Sequence, residues 1–264
     1  MSSPAAIYSD RVASYDLGRP DYPRAPLDRL RDLGGVPDAA TIADVGAGTG
    51  ILTAMLIAGG YRVVAVEPNA AMRGRCDRRL GHHLSYRSAA ATAEDTGLPD
   101  SSVDAITVGQ ALHWFDLDRA RREFKRILRP GGALLFLWNA LDFADDEVAR
   151  AVDLVLSALL PAYLATKAAE PDPAELARAA VPPGTTLHIA QIAHQQLLGA
   201  DAFRSRFLST SYAPSCDDPL VDVLAKELAA IFHTHQQDGA VTLRYWTTAI
   251  TGVCAGGTPE GDHG

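Results

Sequence analysis

Apolar positions along the chain follow two spacings, one typical of buried strands and one typical of the helices that cover them. Thr41–Val45 and Val103–Val108 are short apolar runs, which predict strands buried on both faces of a sheet. Leu117, Ala120 and Phe124 recur at three- and four-residue intervals, which predicts a helix with one face directed onto that sheet. Strands that alternate with helices predict an α/β fold with a parallel sheet, whose ligands bind at the carboxyl ends of the strands.

Proline and glycine residues divide the chain into four predicted segments. We predict an N-terminal arm and helix at 1–40, the α/β core at 41–141, an inserted helical cap at 142–184, and the C-terminal part of the sheet with substrate-side elements at 185–264. The cap is expected to be helical because it is rich in alanine and is interrupted only at its prolines.

Composition and charge narrow the classes of protein and partner. Of the 264 residues, 47% are hydrophobic, and Lys plus Arg number 24 against 32 Asp plus Glu, so the formal charge of −8 disfavours a nucleic-acid partner. The longest apolar stretch, Ala133–Leu141, is far shorter than the ~20 residues of a membrane span, and Met1–Pro4 lacks the features of a secretory signal. We therefore expect a cytoplasmic protein without a membrane partner, in which Cys76, Cys216 and Cys254 are reduced and buried.

The first candidate for chemistry lies where a buried strand turns into a helix. The run Asp44–Gly50 places glycines at 46, 48 and 50, which allow a tight turn and a close approach to a nucleotide-like ligand, although such a turn needs glycines even without a ligand. The pattern is neither the dinucleotide fingerprint nor a phosphate-cradling loop. Glu67 ends the next predicted strand, 21 positions after Gly46 (67 − 46), near the offset at which an acid accepts hydrogen bonds from ribose hydroxyls.

Several ordered motifs together resemble one enzyme family. They are Asp44–Gly50, Val66–Pro68, Ala93–Glu94 with Leu98–Pro99, Ser102–Asp104 and Leu128–Gly132. This set is similar to that of class I S-adenosylmethionine-dependent methyltransferases, and the segments 110–115 and 15–23 resemble the small-molecule branch that includes trans-aconitate methyltransferase-like proteins. The resemblance covers residues 8–139, half of the chain, and implies a Rossmann-like, doubly wound, mostly parallel seven-stranded sheet.

The resemblance also implies the cofactor S-adenosyl-L-methionine, with S-adenosyl-L-homocysteine as its product, and a set of residues that hold it. Glu67 would bind the ribose hydroxyls, Asp44 would attract the ammonium, and Arg19 of an arm that closes over the cofactor would bind the carboxylate. The full expected set is Tyr15, Arg19, Asp44, Gly46, Ala47, Gly48, Gly50, Glu67, Pro68, Met72, Ala93, Glu94, Gln110 and His113.

The acceptor side is less specified. His113 is expected near the transferred methyl, as a general base or as a wall of the cofactor pocket, and both readings stay open. Trp114 and Tyr212 are candidates for substrate binding, and Tyr212 also for catalysis, whereas Phe115 is expected in the core. Asp116 is expected to cap the following helix.

The expected activity is methyl transfer to a small-molecule acceptor, at oxygen, in secondary metabolism, by a monomer or homodimer. Alternatives are a cyclisation or elimination on the same fold, a non-catalytic cofactor-binding module and, more distantly, a nicotinamide-dependent oxidoreductase. No metal site is expected, because His82, His83, His233 and His235 lack suitably spaced partner ligands.

Overall fold

A computed structural model describes residues 17–254 of the chain, so Tyr15 lies outside the described residues. Over this range the predicted α/β class and seven-stranded, mostly parallel sheet are confirmed. The elements are α1 (Ala25–Asp32), β1 (Thr41–Val45), α2 (Ile51–Ala58), β2 (Arg62–Val66), α3 (Ala70–Leu80), β3 (Tyr86–Ala89), β4 (Val103–Gly109), α4 (Leu117–Ile127), β5 (Leu128–Leu141), α5 (Glu147–Leu159), α6 (Pro161–Ala168), α7 (Pro173–Ala180), β6 (Thr186–Gly199), α8 (Ala200–Leu208), α9 (Leu220–His235) and β7 (Ala240–Val253).

The order of strands places two loops side by side at one end of the sheet. The order is β3-β2-β1-β4-β5-β7-β6, so the chain moves outward from β1 to β3 and then returns to β4, which lies on the other side of β1. The pairings of β1 with β2 and with β4 are parallel, with Asp44 opposite both Ala65 and Thr107. The carboxyl ends of β1 and β4 flank the reversal of strand order, which is where ligands bind in sheets of this kind.

Local sequence explains the boundaries of the elements around this point. The main chain of Gly50 has φ +86°, a left-handed conformation that glycine adopts without strain, and α2 begins directly after it. The prediction that Asp116 caps the start of helix α4 is confirmed, because its carboxylate accepts a hydrogen bond from the Arg119 N–H at 3.1 Å. The helix ends at Ile127, just before the run Arg129–Gly132, which cannot continue it.

The residues fall into two compact units. The core unit contains 22–138, 172–192 and 248–254, and its apolar centre includes Ile42, Val45, Phe124 and Leu135. The second unit contains the described residues up to 21 together with 139–171 and 193–247. Within the predicted cap, α5 and α6 belong to the second unit and α7 to the core unit.

The second unit has an apolar centre of its own. It is built by α5, α6, α8, α9 and the first residues of β7, and its largest buried side chains are Tyr245, Phe203 and Phe207. The expectation that all three cysteines are buried is wrong for Cys216, which is exposed in the polar stretch that precedes α9; Cys76 is buried and Cys254 is half-buried. Among residues 17–254, no single helix is both long and apolar enough to cross a membrane.

Candidate functional site

The glycine loop after β1 is attached to the end of β2 by main-chain and carboxylate hydrogen bonds. The Gly46 N–H donates to the carbonyl of Val66 at 2.9 Å. The Glu67 carboxylate accepts from two main-chain groups, Gly48 N–H at 2.9 Å and Asn69 N–H at 2.8 Å. Glu67 therefore contacts the glycine loop directly, because one carboxylate oxygen binds Gly48 and the other binds Asn69.

Two glycines of this loop are required by their surroundings. At Gly46, φ is +70° and a Cβ would lie 2.6 Å from the Cβ of Ala111, in the turn after β4. At Gly50, φ is +86° and a Cβ would lie 2.5 Å from the Sγ of Cys76. Contacts this short leave no room for any side chain, so these glycines let the loop pack against both neighbouring elements.

The Glu67 carboxylate retains hydrogen-bonding capacity for a ligand. Burial raises the pKa of Glu67, while the two N–H donors from Asn69 and Gly48 act in the opposite direction. An ionised carboxylate offers about four acceptor positions, and the Gly48 and Asn69 N–H groups occupy two of those of Glu67. The remaining positions match a vicinal pair of hydroxyls, such as those of a ribose.

Asp44, by contrast, is enclosed by protein. It has no exposed surface, and its carboxylate accepts hydrogen bonds from the hydroxyls of Thr53, at 2.5 Å, and Thr107, at 3.0 Å. Burial raises the pKa of Asp44 to about 6 despite these two donors. In this position Asp44 joins β1, β4 and α2, and its predicted attraction for a cofactor ammonium stays a prediction.

The turn after β4 carries His113 and Trp114. It begins at Gln110, whose φ of +49° reverses the chain direction at the end of the strand. The imidazole of His113 lies 4.6 Å from the ring of Trp114 and 5.2 Å, edge-on, from that of Trp138. Desolvation of the imidazole lowers the pKa of His113 to about 4, although part of the residue is accessible to solvent. His113 is therefore neutral at pH 7.

The loop after β3 supplies the remaining predicted cofactor residues. Ala93 and Met72 are buried, whereas Glu94 is half-buried and accepts a hydrogen bond from the Asp116 N–H at 2.9 Å. A Cβ at Gly48 would lie 3.9 Å from the Met72 sulfur, so this thioether lies alongside the glycine loop. The carboxylate of Glu94 thus has a protein partner that the sequence did not reveal.

The structure brings most of the predicted cofactor residues to one end of the core unit. Those positioned there are Asp44, Gly46, Ala47, Gly48, Gly50, Glu67, Pro68, Met72, Ala93, Glu94, Gln110 and His113, with Trp114 beside them. Arg19 and Tyr212 belong to the second unit, where the Tyr212 ring packs edge-on against Tyr163 at 5.0 Å. Among the described residues, no group of three or more His, Cys, Asp or Glu side chains could hold a metal ion.

Three residues near this end were missed by the sequence reasoning. Thr53 and Thr107 hold Asp44 but come from separate elements, and no local motif links them. Tyr22 belongs to the arm that the resemblance covers, and its hydroxyl oxygen lies 2.7 Å from where a Cβ of Gly109 would stand, directly before Gln110. Only the absence of a side chain at Gly109 could have signalled this approach.

Comparisons with known proteins agree with this geometry. A family model described as a methyltransferase domain matches residues 43–136. An uncharacterized methyltransferase of Mycobacterium tuberculosis is 42% identical over 136 residues, which are 51% of this chain and 53% of that protein. The chain thus matches about half the length of its curated relatives.

Two solved structures resemble the fold over most of this chain. A candidate type II methyltransferase from Anaeromyxobacter dehalogenans matches with a TM-score of 0.61 and 28% identity, covering 90% of this chain and 97% of that one. A phosphoethanolamine N-methyltransferase 2 from Haemonchus contortus, solved with S-adenosyl-L-methionine, matches with a TM-score of 0.56 and 14% identity, covering 94% of this chain and 57% of that one. At that identity, the second likeness concerns the fold alone.

Proposed function

We propose, from the class I S-adenosylmethionine-dependent methyltransferase domain that the chain contains, that the protein transfers a methyl group to an oxygen atom of a small molecule. One observation carries the proposal. The Glu67 carboxylate lies at the end of β2, fixed to the glycine loop through Gly48, with acceptor positions left for two hydroxyls.

The residues of this end fit the cofactor part by part. Glu67 would hold the ribose, the main chain at Gly46 and Gly48 would lie along the methionine portion, and the buried side chains of Met72 and Ala93 would flank the adenine. When bound, the cofactor supplies an electrophilic methyl group on a sulfonium. The protein's own contribution is to align the acceptor with that methyl group and to exclude water.

His113 supports an oxygen acceptor that ionises readily. With a pKa lowered to about 4 by desolvation, the imidazole is neutral at pH 7 and is a weak base. Such a group accepts a hydrogen bond from an acidic hydroxyl, or donates one to an oxygen that is already anionic, more readily than it deprotonates an alcohol. We therefore infer a carboxylate or phenol as the acceptor, oriented by His113 and flanked by Trp114. The overall charge of −8 favours such a small acceptor over nucleic acid.

Calorimetry tests the cofactor assignment. We expect S-adenosylmethionine and S-adenosylhomocysteine each to bind with a stoichiometry of one per chain, and failure of both to bind would remove the basis of the proposal. NADH serves as the control ligand, because binding of NADH instead would favour the oxidoreductase alternative.

An acceptor screen then tests the reaction. The chain is incubated with S-adenosylmethionine and sets of carboxylic acids, phenols, amines and alcohols, and S-adenosylhomocysteine release is measured with product mass. Stoichiometric release with a product 14 Da heavier, an added CH₂ by formula, supports methyl transfer. A product of unchanged composition without S-adenosylhomocysteine favours the cyclisation alternative. A cytoplasmic location, a role in secondary metabolism and a monomeric or homodimeric state remain predictions.

A further inference from the structure

The loop after β3 is attached to helix α4 at two separate points, and each attachment is made by a carboxylate. Within the loop, the Thr96 main-chain N–H and hydroxyl both donate to Glu123 of α4, at 2.9 Å and 2.5 Å. Near the start of the helix the direction is reversed, because Glu94 of the loop accepts from the main-chain N–H of Asp116 at 2.9 Å. The loop is thereby held along the first two turns of α4.

The attachment at Glu123 is a stable anchor. The Glu123 side chain is only 7% exposed, and Arg126 donates to its two oxygens through Nε at 2.8 Å and through a terminal nitrogen at 2.7 Å. Paired and hydrogen-bonded carboxylates of this kind tolerate burial. Glu123 fixes Thr96, and Thr96 lies two residues from Glu94, so the Glu94 side chain starts from a defined position.

The attachment at Glu94 acts on the turn that carries His113. Asp116 ends this turn, in which Trp114 N–H donates to Ala111 at 2.9 Å and Phe115 N–H donates to Leu112 at 3.2 Å. The same turn abuts the glycine loop, since a Cβ at Gly46 would be 2.6 Å from Ala111 and 3.2 Å from the Phe115 ring. A displacement of the end of the turn would therefore alter both the surroundings of His113 and the packing of the glycine loop.

We propose that Glu94 is a positioning residue: through the Asp116 N–H its carboxylate fixes the 111–116 turn against the glycine loop, and so sets the placement of His113 and Trp114 before any ligand binds. The family resemblance instead implies that Glu94, with Ala93, contacts the edge of the adenine. The importance of this positioning role for methyl transfer rests on the proposed function, whereas the effect of Glu94 on the 111–116 turn can be measured without any ligand.

The first test follows His113 in the ligand-free protein. Its imidazole is titrated by NMR in the wild type, Glu94→Ala, Glu94→Gln and Asp95→Ala, with the signal assigned from a His113→Asn variant. Glutamine retains an acceptor oxygen for the Asp116 N–H, so Glu94→Gln should match the wild type, whereas Glu94→Ala should raise the His113 pKa by roughly one unit or more as the turn loosens and water enters. Asp95→Ala removes the neighbouring exposed carboxylate and should change nothing.

A second pair of variants removes the donor instead of the acceptor, in case Glu94→Ala does not fold. Proline is compatible with position 116, where φ is −72°, and with the extended conformation of Phe115 before it, at φ −91° and ψ 148°. Asp116→Pro and Asp116→Ala both lose the side-chain cap of α4, but only the proline lacks the N–H. Asp116→Pro should therefore reproduce the Glu94→Ala titration, and Asp116→Ala should retain the low His113 pKa.

Binding of S-adenosylhomocysteine separates this proposal from the proposed function. We expect Glu94→Ala to weaken binding roughly ten-fold, because it removes the charge-assisted hydrogen bond to the Asp116 N–H. Glu94→Gln keeps an acceptor for that N–H and should weaken binding by less than about three-fold. If the wild type binds no S-adenosylhomocysteine but Glu94→Ala still shifts His113, the proposed function fails and the positioning role stands. An unchanged His113 titration in both Glu94→Ala and Asp116→Pro, or a glutamine variant that behaves like alanine, overturns the positioning role.

Discussion

The Glu67 contacts of the core unit and the Thr247 contact of the second unit span very different sequence distances. In the core unit, Glu67 receives its two main-chain hydrogen bonds from residues 2 and 19 positions away. In the second unit, the Thr247 hydroxyl donates to Asn139, 108 positions away, at 2.6 Å. The Glu67 contacts form within one continuous stretch of strand, loop and helix. The Thr247 contact forms only when segments far apart in the sequence pack together.

The second unit contains a continuous polar network that illustrates this difference. The Tyr245 hydroxyl accepts a hydrogen bond from Arg206 Nε at 3.0 Å and donates to Gln196 at 3.1 Å. The Gln196 amide in turn donates to the carbonyls of Gly18, at 3.4 Å, and Arg19, at 3.1 Å. Gly18 must be a glycine here, because a Cβ would lie 2.2 Å from the main-chain nitrogen of Arg206. Within the second unit, Gln196 and the main chain of Arg206 thus hold the main chain at Gly18 and Arg19.

The largest expected effect concerns the locally organised site. Glu67→Ala should weaken S-adenosylhomocysteine binding about 100-fold, because it removes the acceptor for both ribose hydroxyls and for the Gly48 and Asn69 N–H groups, each a charge-assisted hydrogen bond. Calorimetry measures the change, and Glu147→Ala, which removes an exposed carboxylate at the start of α5, is the control. If Glu67→Ala binds S-adenosylhomocysteine as tightly as the wild type, the cofactor does not bind at the glycine loop and Glu67.

The same difference in sequence distance explains how much could be predicted. The bounds of β1 coincide with those predicted, since the largely apolar run Thr41–Val45 ends directly before the first glycine of the loop, Gly46. In β7, the alternation of buried and exposed residues up to Thr247 gives way to consecutive buried residues, and the strand continues to Val253. Alternation alone cannot reveal such a continuation.

The side-chain partners could not be read from the sequence. The sequence predicts a cofactor contact for Glu94 and a helix cap for Asp116, and only the fold shows that the Glu94 carboxylate accepts from the Asp116 N–H across 22 positions. Asp44 was expected to face a ligand, yet two threonine hydroxyls enclose it. A motif specifies where the main chain turns, whereas the hydrogen-bond partners of a carboxylate depend on the packing of whole elements.

A second prediction concerns stability in the core unit. Because the pKa of buried Asp44 is raised from 3.8 to about 6, the folded state binds the proton more tightly than the unfolded state, so this contribution to stability is complete below about pH 4 and is lost as the pH rises through about 6. Asp44→Asn removes the buried charge while keeping groups that can bond to Thr53 and Thr107, and should stabilise the protein at pH 7 by about 2 kcal/mol.

Chemical denaturation at pH 4 and pH 7 measures this effect. The stabilisation by Asp44→Asn should be present at pH 7 and absent at pH 4, where the native carboxyl is already neutral. Calorimetry on the same variant tests the predicted attraction of Asp44 for the cofactor ammonium. If Asp44→Asn is more stable but binds S-adenosylmethionine less tightly, the Asp44 charge serves ligand binding and not the stability of the fold. Equal stabilisation at both pH values would contradict the explanation that ionisation of Asp44 lowers the stability at pH 7.

A third prediction tests whether the long-range network contributes as much as its extent suggests. Tyr245→Phe keeps the buried ring but leaves the Arg206 Nε and the Gln196 oxygen without their shared hydroxyl, so the free energy of unfolding should fall by about 1–1.5 kcal/mol. Urea denaturation measures the loss, and Thr242→Ala, at an exposed position of the same strand, provides the control. A loss below 0.3 kcal/mol, within the usual spread for surface substitutions, would show that the network is replaceable by water.

The smallest expected change in stability distinguishes a packing role from a ligand role for Tyr212. Tyr212→Phe retains the ring that packs edge-on against Tyr163, so the free energy of unfolding should change by less than about 0.5 kcal/mol, and S-adenosylhomocysteine binding should not change. Tyr212→Ala removes the ring as well and should cost about 1 kcal/mol more, which calibrates the measurement. With the acceptor identified by the screen, a rise in KM of Tyr212→Phe at unchanged stability would place its hydroxyl on the acceptor. An unchanged KM would instead make Tyr212 a packing residue of the second unit.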